Sequence, residues 1–235
     1  MSYQITFYGH GTFGIQIGEY QLLLDPFLTD NPLTKTKPDD LDPDYVLVTH
    51  GHGDHVGDAV EIIQRTGAKA IANAEIARWL ANQSGGEAHA QHIGGGYHHP
   101  FGYLKLTQAV HGSALPDGSY GGMPAGMLIT TPEGEKIYFA GDTGLFAGME
   151  LIGEEGIHTA VLPIGDNFTM GPDDALRAVK LIQPIYVIPA HYNTWPLIEQ
   201  DPEAWKKRVE AETDAQVRIM APDSTLDFKL EQQDG

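Results

Sequence analysis

Short apolar runs separated by polar turns set the rhythm of this chain. Residues 4–8, 12–17 and 21–24 predict strands, and the Gly18-Glu19 pair between the last two predicts a hairpin turn. A stretch rich in Pro, Asp and Thr, 26–43, predicts a loop. Residues 45–48 (YVLV) predict a strand, 56–66 a helix ending near Gly67, and 68–72 another short strand. Residues 75–83 carry Ile76, Trp79 and Leu80 at helical spacing. Residues 84–102 show no period; with two glycine clusters and the histidines His89, His92, His98 and His99, they predict irregular chain. Beyond them, 104–110, 127–131, 136–140, 159–163 and 186–188 predict strands. A helix starts at Pro172, where Pro and the Asp173-Asp174 pair suit its first turn, with Leu176, Val179 and Ile182 as its buried face. A second helix covers 202–212, and strands at 217–220 and 226–230 close the pattern.

Strands first and strand–helix alternation afterwards, twice over, predict sheets with helices packed against them. With neither linker nor low-complexity tract, the 235 residues predict one domain, 1–235. An apolar fraction of 41% supplies a sizeable core, and no apolar run is long enough to span a bilayer. The formal net charge of −18 argues against nucleic acid and anionic membranes as partners, because both need a positive footprint. It leaves a small-molecule substrate as the expected partner, no stable membrane insertion, and a homo-oligomer open. The absence of cysteine excludes disulfides and thiolate metal sites. The start, MSYQITFYGHG, lacks a basic segment followed by an apolar one, so cytoplasm is the expected compartment.

The chemistry concentrates in T49-H50-G51-H52-G53-D54-H55, directly after the strand 45–48. Read as extended chain, residues two apart point the same way, so His50 and His52 can reach one ion together. Asp54 and His55 then serve a second ion beside the first. A turn with a helix cap explains one Asp but not three histidines at this spacing. Other runs end in the same kind of residue: His10 after 4–8, Asp25 after 21–24, His111 after 104–110, Asp142 after 136–140 and His191 after 186–190. Imidazoles and carboxylates at successive strand ends are what a site at one sheet edge requires. Glycines beside them let the chain turn sharply and approach the site closely.

The order H50-G-H52-G-D54-H55, His111, Asp142, His191 resembles the metallo-β-lactamase superfamily. The segments THGHGDHVGD, MPAG, AGDTGLF, LPIGDNFTMGP and HYNT resemble one subgroup, bacterial metal-dependent hydrolases of unassigned substrate. That subgroup is related more distantly to ascorbate-6-phosphate lactonase and the N-acylphosphatidylethanolamine phospholipases. The resemblance implies an α/β, four-layer αβ/βα sandwich with metals at one edge. It implies that His50, His52 and His111 hold one ion, that Asp54, His55 and His191 hold the other, and that Asp142 bridges them. The two divalent metal ions are expected to be zinc on the imidazole count, with the carboxylates leaving manganese, iron or cobalt open.

The implied activity is hydrolysis of an ester, lactone or phosphodiester by water activated between two ions. Asp54 is the expected catalytic carboxylate, orienting that water and accepting its proton. His10, in a Gly-His pair that related lactonases and phospholipases share, is a second catalytic candidate for substrate orientation or proton transfer, with a purely structural role as the alternative. Asp25 is expected to hydrogen-bond a ligand imidazole. Asp166, Asn167, Thr169, Tyr192 and Asn193 are candidates to line the pocket, with helix capping as the alternative for Asp166 and Thr169. The histidines of 89–99 are expected to be solvated, with a lid over the site as the alternative. Two other functions stay open: a mononuclear iron persulfide dioxygenase, which shares H-x-H-x-D-H, and a non-catalytic metal-binding protein on the same scaffold.

Overall fold

The computed structural model describes residues 3–228. In β1 (Tyr3–Gly9), Tyr3, Ile5 and Phe7 are buried while Gln4 is exposed. β2 (Thr12–Ile17) repeats the alternation with Phe13, Ile15 and Ile17 buried. This period of two sends one face of each strand inward. β3 (Tyr20–Leu24), β4 (Tyr45–Leu47), β5 (Lys69–Asn73) and β6 (Ala88–Gln91) complete the first half. The second half carries β7 (Gly96–His99), β8 (Gly102–Gln108), β9 (Ala125–Thr130), β10 (Lys136–Phe139), β11 (Thr159–Pro163), β12 (Tyr186–Ala190), β13 (Gln216–Val217) and β14 (Ser224–Phe228). Two seven-stranded sheets result, ordered β14-β1-β2-β3-β4-β5-β6 and β13-β12-β11-β10-β9-β8-β7.

Each sheet is antiparallel in one half and parallel in the other. β1 to β3 pair antiparallel and β3 to β6 parallel. In the second sheet β7 to β10 pair antiparallel and β10 to β13 parallel. The inner faces pack on each other: Ile5, Phe13, Ile15 and Leu47 from one sheet share a cluster with Leu106, Met127, Phe139 and Ile188 from the other. β11, with a helix layer on its far side, is buried at every position, as parallel strands covered on both faces are.

Helices cover both outer faces, giving four layers. α1 (Gly53–Val56), α2 (Ala59–Thr66) and α3 (Ala74–Ser84) bring Val56, Ile62, Ile63, Ile76 and Leu80 against the first sheet. α4 (Met149–Gly153), α5 (Pro172–Ile182) and α6 (Pro202–Glu212) bring Ile152, Leu176, Val179, Trp205 and Val209 against the second. Local chemistry fixes their ends. Asn73 caps α3 by accepting from the Ile76 amide, and Asp201 caps α6 by accepting from the Glu203 and Ala204 amides.

Several sequence expectations are corrected. The helix placed at 56–66 starts earlier, at Gly53, and breaks at Gly57. There the backbone presses against Phe27 and the Pro26 carbonyl, so that any Cβ would lie 2.4 Å from that oxygen. Asp54 and His55 therefore stand on a helical turn rather than on extended chain. Residues 84–102 are not irregular, because they contain the edge strands β6 and β7. α4 had no prediction; with Met149 and Ile152 buried it is too short for a period to show. The strand placed at 217–220 is only Gln216–Val217, and that placed at 226–230 runs as Ser224–Phe228, with 229 and 230 outside the described residues.

Candidate metal centre

Strand direction puts the candidate residues together. β1, β3 and β4 run the same way in the first sheet, as do β8, β10 and β12 in the second, so the residues following them gather at one edge. The two sheets are joined there by a backbone bond from the His191 amide to the His10 carbonyl, 2.8 Å. His10, Asp25 and His191 all have left-handed backbones, with φ of 57°, 45° and 53°. That conformation is unfavourable for residues with a Cβ and concentrates at functional sites. Close approach also demands glycine: a Cβ on Gly11 would lie 2.9 Å from the His55 ring.

Two clusters form. In the first, Nδ1 of His52 stands 3.1 Å from Nε2 of His50 and 3.3 Å from Nε2 of His111. In the second, Oδ2 of Asp54 stands 4.0 Å from Nε2 of His55 and 3.9 Å from Nε2 of His191. Asp142 touches both: Oδ1 is 3.3 Å from His55 Nε2, and Oδ2 is 3.0 Å from His191 Nε2 and 3.6 Å from His111 Nε2. All seven residues expected to bind metal are thus brought together, in the two groups that the motif suggested.

The donor set fits divalent metal. Ligand atoms about 2.1 Å from a tetrahedral ion lie about 3.4 Å from one another, and the spacings here run from 3.0 Å to 4.0 Å around that value, widest at Asp54. Among the described residues, Nε2 of His55 and both ring nitrogens of His191 are buried and make no well-formed hydrogen bond, although Asp142 oxygens stand 3.3 Å and 3.0 Å from the two Nε2 atoms. Buried polar atoms rarely stay unpaired, and a cation would satisfy these nitrogens together with the carboxylate beside them.

The surroundings hold these rings in place. Asp25 accepts from His55 Nδ1 at 2.9 Å, from the Thr49 amide at 2.8 Å and from the Thr49 hydroxyl at 2.6 Å. With both oxygens engaged, Asp25 fixes the His55 ring so that Nε2 faces Asp142. His10 is fully buried, with Nε2 3.1 Å from Asp54 Oδ2 and Nδ1 2.7 Å from the Thr194 hydroxyl. Burial, reinforced by the neighbouring His191, pushes its imidazole down to about 4, so it is neutral at pH 7. It then donates from Nε2 to Asp54 and accepts at Nδ1 from Thr194. His10 also lies within reach of the second cluster, and both its nitrogens are engaged, by Asp54 and by Thr194.

Charge follows the same geometry. Burial opposes ionisation of Asp142, yet His191 and His55 hold its carboxyl well below the usual range. Burial likewise opposes charge on Asp54, and the hydrogen bond from His10 with the nearby His55 still lowers it. Burial and the neighbouring His55 keep His50 well below its ordinary value. Burial opposes charge on His55 too, yet Asp142 and Asp25 raise that imidazole well above its ordinary value, so the floor of the site holds ionised carboxylates around His55 beside a neutral His50.

A cavity of about 390 Å³ opens over both clusters. Its walls are Phe168, Trp195 and Leu197 rather than the expected Asp166, Asn167, Thr169, Tyr192 and Asn193, which are their neighbours in sequence. Exposed apolar side chains in loops look like ordinary surface residues in a sequence, and nothing marked these three. None of the histidines of 89–99 lines that cavity: His92 and His98 are exposed as expected, but His89 is half-buried and His99 is buried rather than solvated. His99 stacks on Phe101 beside Tyr45, at the opposite end of β4 from His50, with His89 against it.

The family model for the beta-lactamase superfamily domain matches residues 20–192. The chain belongs to that superfamily. Within it, the chain is 48% identical to a "UPF0173 metal-dependent hydrolase" of Pelotomaculum thermopropionicum over 96% of this chain and 100% of the relative. A relative of the same description from Desulforamulus reducens is 50% identical over 95% and 99%. Among solved structures, Igni18, a metallo hydrolase from the archaeon Ignicoccus hospitalis, superposes with a TM-score of 0.89 at 39% identity, covering 98% of this chain and all of that one. The chain is thus a metal-dependent hydrolase of the β-lactamase superfamily, with the α/β sandwich of that group. Among the described residues no helix is long and apolar enough to cross a membrane.

Proposed function

We propose that the chain is a binuclear hydrolase of small-molecule esters, lactones or phosphodiesters, with His50, His52 and His111 at one ion, Asp54, His55 and His191 at the other, and Asp142 between them. The observation that carries this is the position of Asp142, whose Oδ2 lies 3.6 Å from His111 of one cluster and 3.0 Å from His191 of the other. Divalent ions held there, zinc on the donor chemistry, would supply Lewis acidity that lets water act as a nucleophile near neutral pH. The residues do the rest. Both cluster carboxylates line the cavity, and Asp54 is the more open of them, 27% exposed where Asp142 is 4%. It orients the attacking water and takes its proton, while His10 and Thr194 fix the carboxylate from behind. The buried imidazoles and the Asp25–His55 bond keep the floor rigid, so binding does not require the site to reorganise.

The test is metal analysis of protein purified without added metal, followed by turnover on an ester, lactone, thioester and phosphodiester panel. About two ions per chain with hydrolysis of panel members is the expected result. One iron per chain with oxygen uptake on a persulfide, or retained metal with no hydrolysis, overturns the proposal.

A further inference from the structure

The cavity wall differs from its floor. Phe168 is 50% exposed and Leu197 69% exposed, and with Trp195 they present ring and methyl surface above the two clusters. Large apolar side chains at such exposure mark a contact surface when they converge on a site. The three are held, not loose. The Phe168 turn is closed by the Thr169 amide on the Asp166 carbonyl and the Asp166 amide on the Met170 carbonyl. The Trp195 segment is closed by the Ile198 amide on the Trp195 carbonyl and the Asn193 amide on the Ile198 carbonyl. Gln200 ties the two segments, its amide donating to Asn193 Oδ1 and its side chain to the Gly165 carbonyl. Trp195 itself leans edge-on against the His10 ring at 4.8 Å.

The charge of the cavity points the same way. Among the described residues no lysine or arginine lines this cavity, whereas Asp54 and Asp142 do, on a chain whose net charge is −18. Sites that grip phosphoryl groups place guanidinium, ammonium or backbone donors around the non-reacting oxygens. Here anything projecting beyond the ions meets aromatic and aliphatic carbon, so an anionic group there would lose hydration without gaining a partner.

We propose that the substrate is an uncharged carbonyl compound, an ester or lactone with an apolar chain or ring lodged against Phe168, Trp195 and Leu197, rather than a phosphate ester. This rests on the hydrolytic function proposed above. In the reaction the oxygen of water bonds to the carbonyl carbon and the bond from that carbon to the alcohol oxygen breaks. One proton of the water ends on the alcohol, and the acid product ionises.

The experiment has two arms on the protein as purified. In the first, kcat/KM is measured for p-nitrophenyl acetate, butyrate, hexanoate and octanoate and for bis-p-nitrophenyl phosphate. The expected result is a rise of about two- to fourfold per added methylene, since full burial of one is worth about fourfold, with the diester below octanoate. In Phe168→Ala and Leu197→Ala the octanoate-to-acetate ratio falls several-fold. A flat series, a preferred diester, or an unchanged ratio in both variants overturns the proposal. In the second arm, methyl alkyl ketones of increasing length, which cannot be hydrolysed, are titrated by tryptophan emission. Affinity that climbs with chain length supports the apolar site, and affinity indifferent to length overturns it. Climbing ketone affinity with no turnover of any ester or diester overturns the hydrolytic function and leaves the apolar site standing.

Discussion

Nε2 of His10 donates to Oδ2 of Asp54 across 3.1 Å, joining a turn after the first strand to a helical turn more than forty positions away. His10 is fully buried and Asp54 is 27% exposed, which fits the proposed roles of a positioning ring behind a carboxylate that meets substrate. Asp54→Asn is expected to lower kcat by about a hundred- to ten-thousandfold, the range for losing a positioned base, with circular dichroism unchanged. His10→Ala lowers kcat less and leaves KM near its original value, since the ring does not reach the cavity. Near-normal turnover in Asp54→Asn on a good substrate removes the proposed role.

Asp25 acts one layer out. Its bond to His55 Nδ1 sets which nitrogen of that ring faces Asp142. Asp25→Asn keeps the volume but offers an amide NH₂ where Thr49 and His55 need acceptors. Affinity for the ion at His55 is expected to drop about ten- to hundredfold, as is usual when such an outer partner is removed. Titration against a competing chelator reads the change, and an unaltered binding curve contradicts it.

The two clusters differ in exposure, which makes them separable. His52 and His111 are half-buried beside the cavity, with His50 buried behind them, while His55 and His191 are both buried, although His191 also lines the cavity. His52→Ala opens one cluster to solvent and leaves the other intact, so metal content is expected to fall from about two ions to about one, with little loss of thermal stability. His191→Ala leaves a cavity behind Asp142 and removes the ring beneath His10, whose centroid is 4.0 Å away. It is expected to lose metal and lower the melting temperature as well. Equal stability loss in both variants would mean that the clusters are one cooperative unit.

The clustering of the candidate ligands was legible because the H-x-H-x-D-H run follows one strand and His111, Asp142 and His191 each follow another, a pattern that ordinary loop composition does not produce. His10 was legible as a candidate, but its role was not: only the fold brings Thr194 and Asp54 to its two nitrogens. The long strands and α2, α3, α5 and α6 announce themselves through period, since one face of each is buried. β6 and β7 escaped because edge strands with mixed burial carry no alternation, and glycine clusters imitate a loop. The break at Gly57 depends on the backbone of Pro26 and Phe27, thirty residues earlier, and no local pattern encodes it. Phe168, Trp195 and Leu197 went unnoticed for the same reason: what singles them out is convergence in space.

His99 gives a test of acid stability away from the metals. Its ring lies parallel to Phe101, 5.1 Å between centroids, and Nε2 is buried without a partner. Burial, with the nearby His89 and Lys69, pushes this imidazole down to about 4 from an ordinary value of 6.5. The unfolded chain therefore binds a proton at His99 at pH values where the folded chain does not. Its stabilising contribution is complete above pH 6.5 and is lost as the pH falls from 6.5 towards 4, because protonation there favours the unfolded state. Replacing the ring with one that cannot charge removes that dependence. His99→Phe keeps an aromatic face for Phe101 and Tyr45, so its melting temperature is expected to match the parent above pH 6.5 and to exceed it near pH 4. Melts of both proteins across that interval decide the matter, and parallel curves would show that His99 does not titrate on unfolding.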